Sequence, residues 1–510
     1  MNYFVTNTVG EQSSGIEHSE MKRLNLFLDH GVPAKVVTTN YYSRFHRNFA
    51  ENGLSDETSL NMFDYFLGNL SVPIQENPAK AWLAKQDGEI TDLGEETDND
   101  KIKIHGWKVV NGNQQMLIRE DVNDGQISSI VYGTIDNRVI HSEIYDDRGF
   151  LSQDNIMTSD GKLKEQHFFS HTGEEIINWR LKSSGVTQSI FLKYKDEQRI
   201  FMNNDGLKTF FLDEINTIAG GDSLIISDRY ENTPALAKMT TPARRYVYIH
   251  NVHVNDPSNL NDPDLNFNYQ YVLTNPRKFS GIIALTEHQK ADIQNRFGKD
   301  INIVVIPGGT TTTPTPISIA SRPRQHHLLA VARISPEKRL DLAVQVAAKV
   351  KEEIPDVILD VYGFVTDQRS GIVLNNTVKQ LDMIGSVHFF QYTHDIQKVY
   401  DESVLAISTS RSEGLPLTML EAESNGLPIM AFDIHYGPNE IINNGESGYL
   451  FKDGDVDSMA AEIIKIFKDP FLHQKLSNGA YEAAKKFSPE NVWKQWLQIA
   501  KIDEKEPASK

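Results

Sequence analysis

The sequence predicts an α/β protein with two doubly wound domains, the first interrupted by an antiparallel β-meander. Three observations carry this reading. From Leu328 onward, short apolar runs alternate with amphipathic stretches, the pattern of parallel strands joined by helices. The same alternation occurs at both ends of the first 320 residues. Between those ends, Gly149, Gly161 and Gly173 recur every 12 residues in turn-like contexts, which is the rhythm of short antiparallel strands. At 510 residues the chain is also too long for one ordinary core.

Taken in chain order, NYFVTNT predicts the first strand, EHSEMKRLNLFLDHG a helix and AKVVTTN the second strand. SSGIEH, Ser13 to His18, is expected as the loop between the first strand and its helix, with Gly15 permitting close approach of a ligand to the backbone. Residues 76–210 form the expected meander. SLIISDR, RRYVYIHNV, GIIALT and NIVVIP then resume the first α/β domain. GGTTTTPTPISIASRPR, Gly308 to Arg324, has neither period and is rich in Thr and Pro, so it is expected to link the domains. LLAVARI, VILDVYGF, SVHFFQY, VLAISTS and PIMAFDI are the strands of the second sheet. PENVWKQWLQIAKI is a terminal helix expected to pack on the body, and DEKEPASK a fraying tail. The expected domains are therefore 1–75 with 211–315, the insertion 76–210, a second α/β domain 323–487 and the terminal segment 488–510.

Charge and composition narrow the function. With 51 Lys and Arg against 69 Asp and Glu, the net charge of −18 disfavours wrapping of nucleic acid or anionic lipid, so any bound anion needs a local basic pocket. The absence of cysteine excludes disulfides, thiolate zinc sites and thiol catalysis, and fits a reducing compartment. MNYFVTNTVGEQSSG lacks the basic lead and apolar core of a secretory signal, and no apolar run approaches the ~20 residues of a membrane span. A soluble cytoplasmic protein is expected.

The stretch RSEGLPLTMLEAESNGLPIMAFD places Glu413 in a loop after a strand and Glu421 inside the following helix, which Pro416 opens at its first turn. The unpaired N–H groups near Leu417 and Thr418 suit a phosphate, and the carboxyl end of a strand is where open α/β sheets bind ligands. Glycosidase carboxyls must lie about 5–9 Å apart, whereas eight helical residues span ~12 Å. The two glutamates fit better as acceptors for separate parts of one long ligand, such as the ribose and the sugar of a sugar nucleotide. In VARISPEKRLD, Arg333 and Lys338 flank a strand-to-helix turn, where they can clamp a diphosphate whose charge grows as it departs. YIHNVHV places His250 and His253 at or just after a strand end. No His, Asp or Glu cluster has metal-ligand spacing.

ARISPEKR followed by SEGLPLTMLEAE, a Glu-x7-Glu motif, resembles the donor half of retaining GT-B glycosyltransferases of family four. SGIEH, the β-rich insertion and YIHNVH extend the resemblance across nearly the whole chain. They point to the bacterial subgroup of wall teichoic acid α-glycosyltransferases and of O-glycosyltransferases that modify Ser-Asp-repeat or serine-rich-repeat adhesins. The resemblance implies a GT-B fold of two Rossmann-like domains facing a cleft. It assigns Arg333 and Lys338 to the donor diphosphate, Glu421 to the ribose, Glu413 to the transferred sugar and Gly15 to the diphosphate. His250 would lie near the sugar's primary hydroxyl and the transition state, and Gln391, Tyr392 and Thr393 would hold the uracil. It also implies no metal or other cofactor, and same-face attack in which the departing phosphate takes the acceptor proton. VYGFVTDQRSG departs from the glycine-rich form usual at that wall of the nucleotide site.

The expected activity is transfer of GlcNAc or glucose from a UDP-sugar to serine hydroxyls of a repeat-rich surface adhesin before export. A polyol-phosphate acceptor is the alternative, and a non-catalytic acceptor-binding subunit the alternative of another class. Intact Arg333, Lys338, Glu413 and Glu421 argue against that last reading. A sugar-nucleotide epimerase of the same fold is weaker, since a small-molecule isomerase has no need of a large insertion. The meander's edge strands lead to an expected homo-oligomer.

Overall fold

The computed structural model describes residues 1–10, 14–97, 103–393 and 395–502. Its chain divides into two compact units. One comprises Met1–Glu11 with Ala34–Ala243, the other Gln12–Pro33 with Arg244–Lys510.

In the first unit, strands Leu224–Ser227, Asn2–Thr6, Ala34–Thr38 and Ser59–Asn61 lie side by side in that order, all parallel. Asn2–Thr6 and Leu224–Ser227 are buried at every residue, as expected of strands covered on both faces. The predicted meander is a ten-stranded sheet that runs in chain order from Glu89–Thr97 to Glu197–Phe201, each strand antiparallel to the next. Gly149, Gly161 and Gly173 occupy its turns, and Gly185 continues the 12-residue period. All four have positive φ, between 77° and 92°, which a side chain disfavours. At Gly149 an added Cβ would also fall 2.0 Å from the Gln75 carbonyl oxygen. On one part of the sheet, Val109, Ile118, Ile127 and Ile130 bury against helix Ala79–Leu83. Elsewhere, Phe63 and Phe66 of helix Met62–Leu67 pack with Phe168 and Tyr194 of the sheet. An ionic network ties these layers. Buried Arg148 reaches Asp146 at 2.7 Å, Asp64 at 3.4 Å and the Asn69 carbonyl at 2.6 Å.

In the second unit, strands Arg244–Ile249, Gly281–Ala284 and Ile303–Val305 pair in parallel. A separate six-stranded parallel sheet has the order Val387–Phe390, Ile358–Tyr362, His327–Val331, Leu405–Ser408, Ile429–Phe432, Gly448–Phe451. Strand His327–Val331 is therefore flanked by the next strand in sequence on one side and by Leu405–Ser408 on the other. The strand order reverses between His327–Val331 and Leu405–Ser408, the switch point at which open α/β sheets take ligands. Helices Leu340–Lys351 and Val456–Lys468 bury Val344, Ala347, Met459 and Ile463 in the core beneath.

The Thr- and Pro-rich segment has no strand or helix until the short turn Ile319–Ser321. It is anchored where the Thr311 N–H bonds the Phe487 carbonyl at 3.0 Å and the Ile317 N–H bonds the Tyr481 hydroxyl at 3.1 Å. The terminal helix Pro489–Trp496 packs as expected, with Trp493 and Trp496 meeting Phe27 at ring separations of 5.1 and 5.5 Å. The expected tail, residues 503–510, lies outside the described residues. No helix among those described is long and apolar enough to cross a membrane.

Two local expectations are corrected. SSGIEH is not a loop throughout, because the helix begins at Gly15 and already contains His18. Ser14 and Glu17 form a reciprocal capping box that starts the helix earlier than the apolar pattern suggests. Pro416 is the cap of its helix, not its first residue; the helix runs Leu417–Ser424.

Candidate active site

Lys338 follows the strand His327–Val331 and Glu413 follows Leu405–Ser408, so the two loops leave neighbouring strands of one sheet. Arg339, in the left-handed conformation with φ 45°, stitches them. Its guanidinium donates to the carbonyls of Thr409 at 3.0 Å and Ser410 at 2.9 Å, and the Thr409 hydroxyl lies 2.9 Å from the Arg339 carbonyl. With the loops fixed in this way, Lys338 Nζ sits 2.5 Å from Glu413 Oε1, and both side chains are mostly buried. Below them is a cavity of about 30 Å³ lined by Lys338, Glu413, Thr409, Ser410 and Thr418. Arg333 is not part of this pair. It reaches Glu337 at 3.0 Å on the exposed side of its loop.

The Glu413 loop rests on the end of strand Arg244–Ile249. A Cβ on Gly414 would lie 2.1 Å from the His250 carbonyl oxygen and 2.5 Å from Leu285 Cδ1, so only glycine allows this approach. The Ser412 hydroxyl donates to Asn251 Oδ1 at 3.0 Å. His250 is fixed through its N–H, which donates to the Tyr269 hydroxyl at 3.0 Å, and its ring lies 4.4 Å from that of Tyr248. His253 is structural. It is fully buried, and burial, reinforced by nearby Arg296, pushes its imidazole down to about 4, so it stays neutral.

Helix Leu417–Ser424 starts behind a proline that has no N–H, and its first internal bond runs from the Met419 N–H to the Pro416 carbonyl at 3.0 Å. The amides of Leu417 and Thr418 precede that bond, which leaves them at the positive end of the helix. Glu421 accepts from Lys22 Nζ at 2.7 Å and from the Tyr400 hydroxyl at 3.2 Å. Burial and the adjacent Glu421 hold the Tyr400 phenol well above its usual range, so it remains a donor.

Glu423, two residues on, faces the opposite way. It is fully buried, accepts from the Ser447 hydroxyl at 2.8 Å, and burial pushes its carboxyl up to about 8. A folded-state value above the unfolded one favours the fold at low pH. The stabilisation is fully present below the unfolded value, near 4.5, and is lost progressively as pH rises to about 8. Thermal melts between pH 5 and 8 should therefore show a falling Tm in the wild type and a flatter profile in Glu423→Gln.

Gly15 opens the helix Gly15–Asp29, and an added Cβ there would meet nothing within 4 Å, so its face is open. From the same helix, His18 Nε2 lies 3.1 Å from the Tyr392 hydroxyl, with the two rings stacked. Gln391 is exposed after strand Val387–Phe390, and the Thr393 hydroxyl accepts from the Asp395 N–H at 3.1 Å. Of the residues expected from sequence, Lys338 and Glu413 thus meet directly, and Gly414 joins their loop to His250. Leu417, Thr418 and Glu421 share one helix, and Tyr392 meets the helix that Gly15 opens. Lys22, Tyr400 and Gly414 were not anticipated. For Lys22 the available signal was its spacing of four from His18, which puts both on one helical face.

Residues 316–486 match the model of the family described as glycosyl transferases group 1. Over 98% of its length the chain is 26% identical to 99% of a poly(ribitol-phosphate) alpha-N-acetylglucosaminyltransferase of Staphylococcus aureus. Over 98% of its length it is also 23% identical to 98% of the UDP-N-acetylglucosamine–peptide N-acetylglucosaminyltransferase GtfA subunit of Streptococcus gordonii. Among solved structures, the pneumococcal O-GlcNAc transferase GtfA, crystallised with UDP and GlcNAc, superposes with a TM-score of 0.80 at 20% identity and covers 97% of each chain. The Lys338–Glu413 pair and the Glu421 helix fall inside the matched segment, and the fold is shared over nearly the full length. Residues 316–486 thus match the glycosyl transferases group 1 model, and the chain that carries them is a glycosyltransferase with the GT-B fold.

Proposed function

We propose that the protein is a retaining glycosyltransferase that moves GlcNAc or glucose from a UDP-sugar to serine hydroxyls of a repeat-rich surface adhesin in the cytoplasm before export. The observation that carries this reading is the Lys338–Glu413 pair, set beside the open N-terminus of helix Leu417–Ser424 at the switch point of a parallel sheet. An ammonium and two helix-start amides suit a diphosphate leaving group, and they gain strength as its charge develops. Glu413, loosed from Lys338 by that diphosphate, accepts from the sugar. Glu421 binds the ribose, Gly15 faces the diphosphate, Tyr392 with Gln391 and Thr393 borders the base, and His250 stands near the reacting carbon. Arg333 joins the diphosphate only if it leaves Glu337. Positive charge from these groups makes a resident metal unnecessary, so transfer should survive EDTA.

Lys338→Ala is expected to weaken UDP about tenfold or more while leaving uridine within about twofold, because the ammonium's partner is the diphosphate. Isothermal titration with both ligands measures it, and equal losses would take Lys338 off the diphosphate.

The relative named for poly(ribitol-phosphate) transfer, similar over the same span, keeps a polyol-phosphate acceptor as a second reading. Incubation with UDP-GlcNAc or UDP-glucose and either a serine-rich peptide or a polyol-phosphate polymer decides between them by which acceptor gains mass. If neither does, the reading of a non-catalytic acceptor-binding subunit gains. We also propose the domain division 1–75 with 211–315, 76–210, 323–487 and 488–510, and self-association through the meander, whose terminal strands are edges. A monomer in light scattering would remove the latter.

A further inference from the structure

On the reading that Glu421 receives the donor's ribose, we propose that Lys22 is a positioning residue that presents the Glu421 carboxylate to a vicinal diol. A carboxylate offers about four lone-pair sites, two per oxygen. Lys22 Nζ occupies one on Oε1 at 2.7 Å, and the Tyr400 hydroxyl occupies one on Oε2 at 3.2 Å. Among the described residues no other hydrogen bond reaches either oxygen, which leaves one site on each, the pattern that two adjacent hydroxyls of a ribose require. Neither donor alone fixes the group, since a carboxylate held at one oxygen can still swing about its terminal torsion. Held at both, it is set before the ligand arrives.

The surroundings of Lys22 support a built role. Its stem runs past Gly309, where an added Cβ would lie 3.1 Å from Lys22 Cδ and 2.9 Å from Leu417 Cδ2, so the glycine leaves the channel through which the side chain passes. Its ammonium also lies 3.4 Å from the Thr310 carbonyl, a second acceptor that limits its swing. Side-chain exposures of 28% for Lys22 and 25% for Glu421 leave the pair open to a ligand. Lys22 is thus a contact from helix Gly15–Asp29 to the carboxylate of helix Leu417–Ser424.

The test is the ratio of affinities for UDP and 2′-deoxy-UDP, a quantity that a merely structural lysine would leave alone. The wild type should prefer UDP about tenfold. Lys22→Met, which keeps the stem and removes the ammonium, should bring the two ligands to within about twofold of each other by weakening UDP and sparing the deoxy analogue. Lys22→Arg should keep most of the preference, and all variants should melt near the wild type. In turnover assays, Lys22→Met should raise KM for the donor more than it lowers kcat. Glu421→Gln separates the two levels of the argument. If it abolishes the preference while Lys22→Met does not, or if Lys22→Met weakens both ligands equally, the positioning role is wrong and the ribose assignment stands. If Glu421→Gln retains the preference, or the wild type shows none, the ribose assignment falls and this inference with it.

Discussion

Glu413→Gln is expected to lower turnover by about a hundredfold or more while UDP binds as in the wild type or somewhat better. The carboxylate lies 2.5 Å from Lys338 and is mostly buried, so the pair is a buried charge arrangement and not a solvated surface contact. Glutamine keeps the shape and one acceptor oxygen but removes the negative charge. The ammonium of Lys338 is then released toward the diphosphate, which explains why the nucleotide should not be lost. On the proposed assignment, what disappears is a charged acceptor to the sugar and the balance of charge at the reacting carbon. Loss of a single preorganised polar contact at a transition state costs about 10²–10³ in rate. Calorimetry with UDP and a transfer assay measure the two effects separately. Parallel losses would place Glu413 outside the sugar subsite.

Gly414→Ala should act on both stability and rate. The new methyl would lie 2.1 Å from the His250 carbonyl oxygen and 2.5 Å from Leu285 Cδ1; the first is backbone and cannot rotate away. The loop must therefore lift from the end of strand Arg244–Ile249. Overpacking of this kind costs about 1–3 kcal/mol, which should appear as a lower melting temperature. Because Glu413 is the preceding residue, the lift also moves its carboxylate. Misplacement by about 1 Å is enough to cost about a hundredfold in rate. A variant that melts early but turns over normally would show that the loop can relax without disturbing Glu413. By contrast, Gly15→Ala meets no atom within 4 Å and should leave stability nearly unchanged, so any loss of donor affinity there would report on the ligand itself.

The periodicities determined the architecture. Alternating apolar runs and amphipathic stretches specified parallel sheets, because a strand buried on both faces must be apolar throughout and a helix covering it must be apolar on one side. The glycine spacing specified the meander, because each turn needs a backbone that side chains resist; the observed positive φ at Gly149, Gly161 and Gly173 follows from that. Lys338 and Glu413 were also readable, since each sits at a predictable strand end and their residue types have few uses there. The start of the first helix was written in Ser14 and Glu17 but was hidden by the glycine between them, which resembled a loop.

Partnership was decided only by tertiary structure. Arg333 and Lys338 are five residues apart and looked alike, yet one faces Glu337 on the surface and the other faces Glu413 in the site. Strand direction and the Arg339 stitch settle which points inward, and neither is a property of the local sequence. Lys22 meets Glu421 across 399 residues, and Gly414 touches His250 across more than 160. Periodicity reports which face of an element is buried. It carries no information on which distant element covers that face, because contacts between elements depend on how the sheets order and twist, and many sequences satisfy the same local pattern.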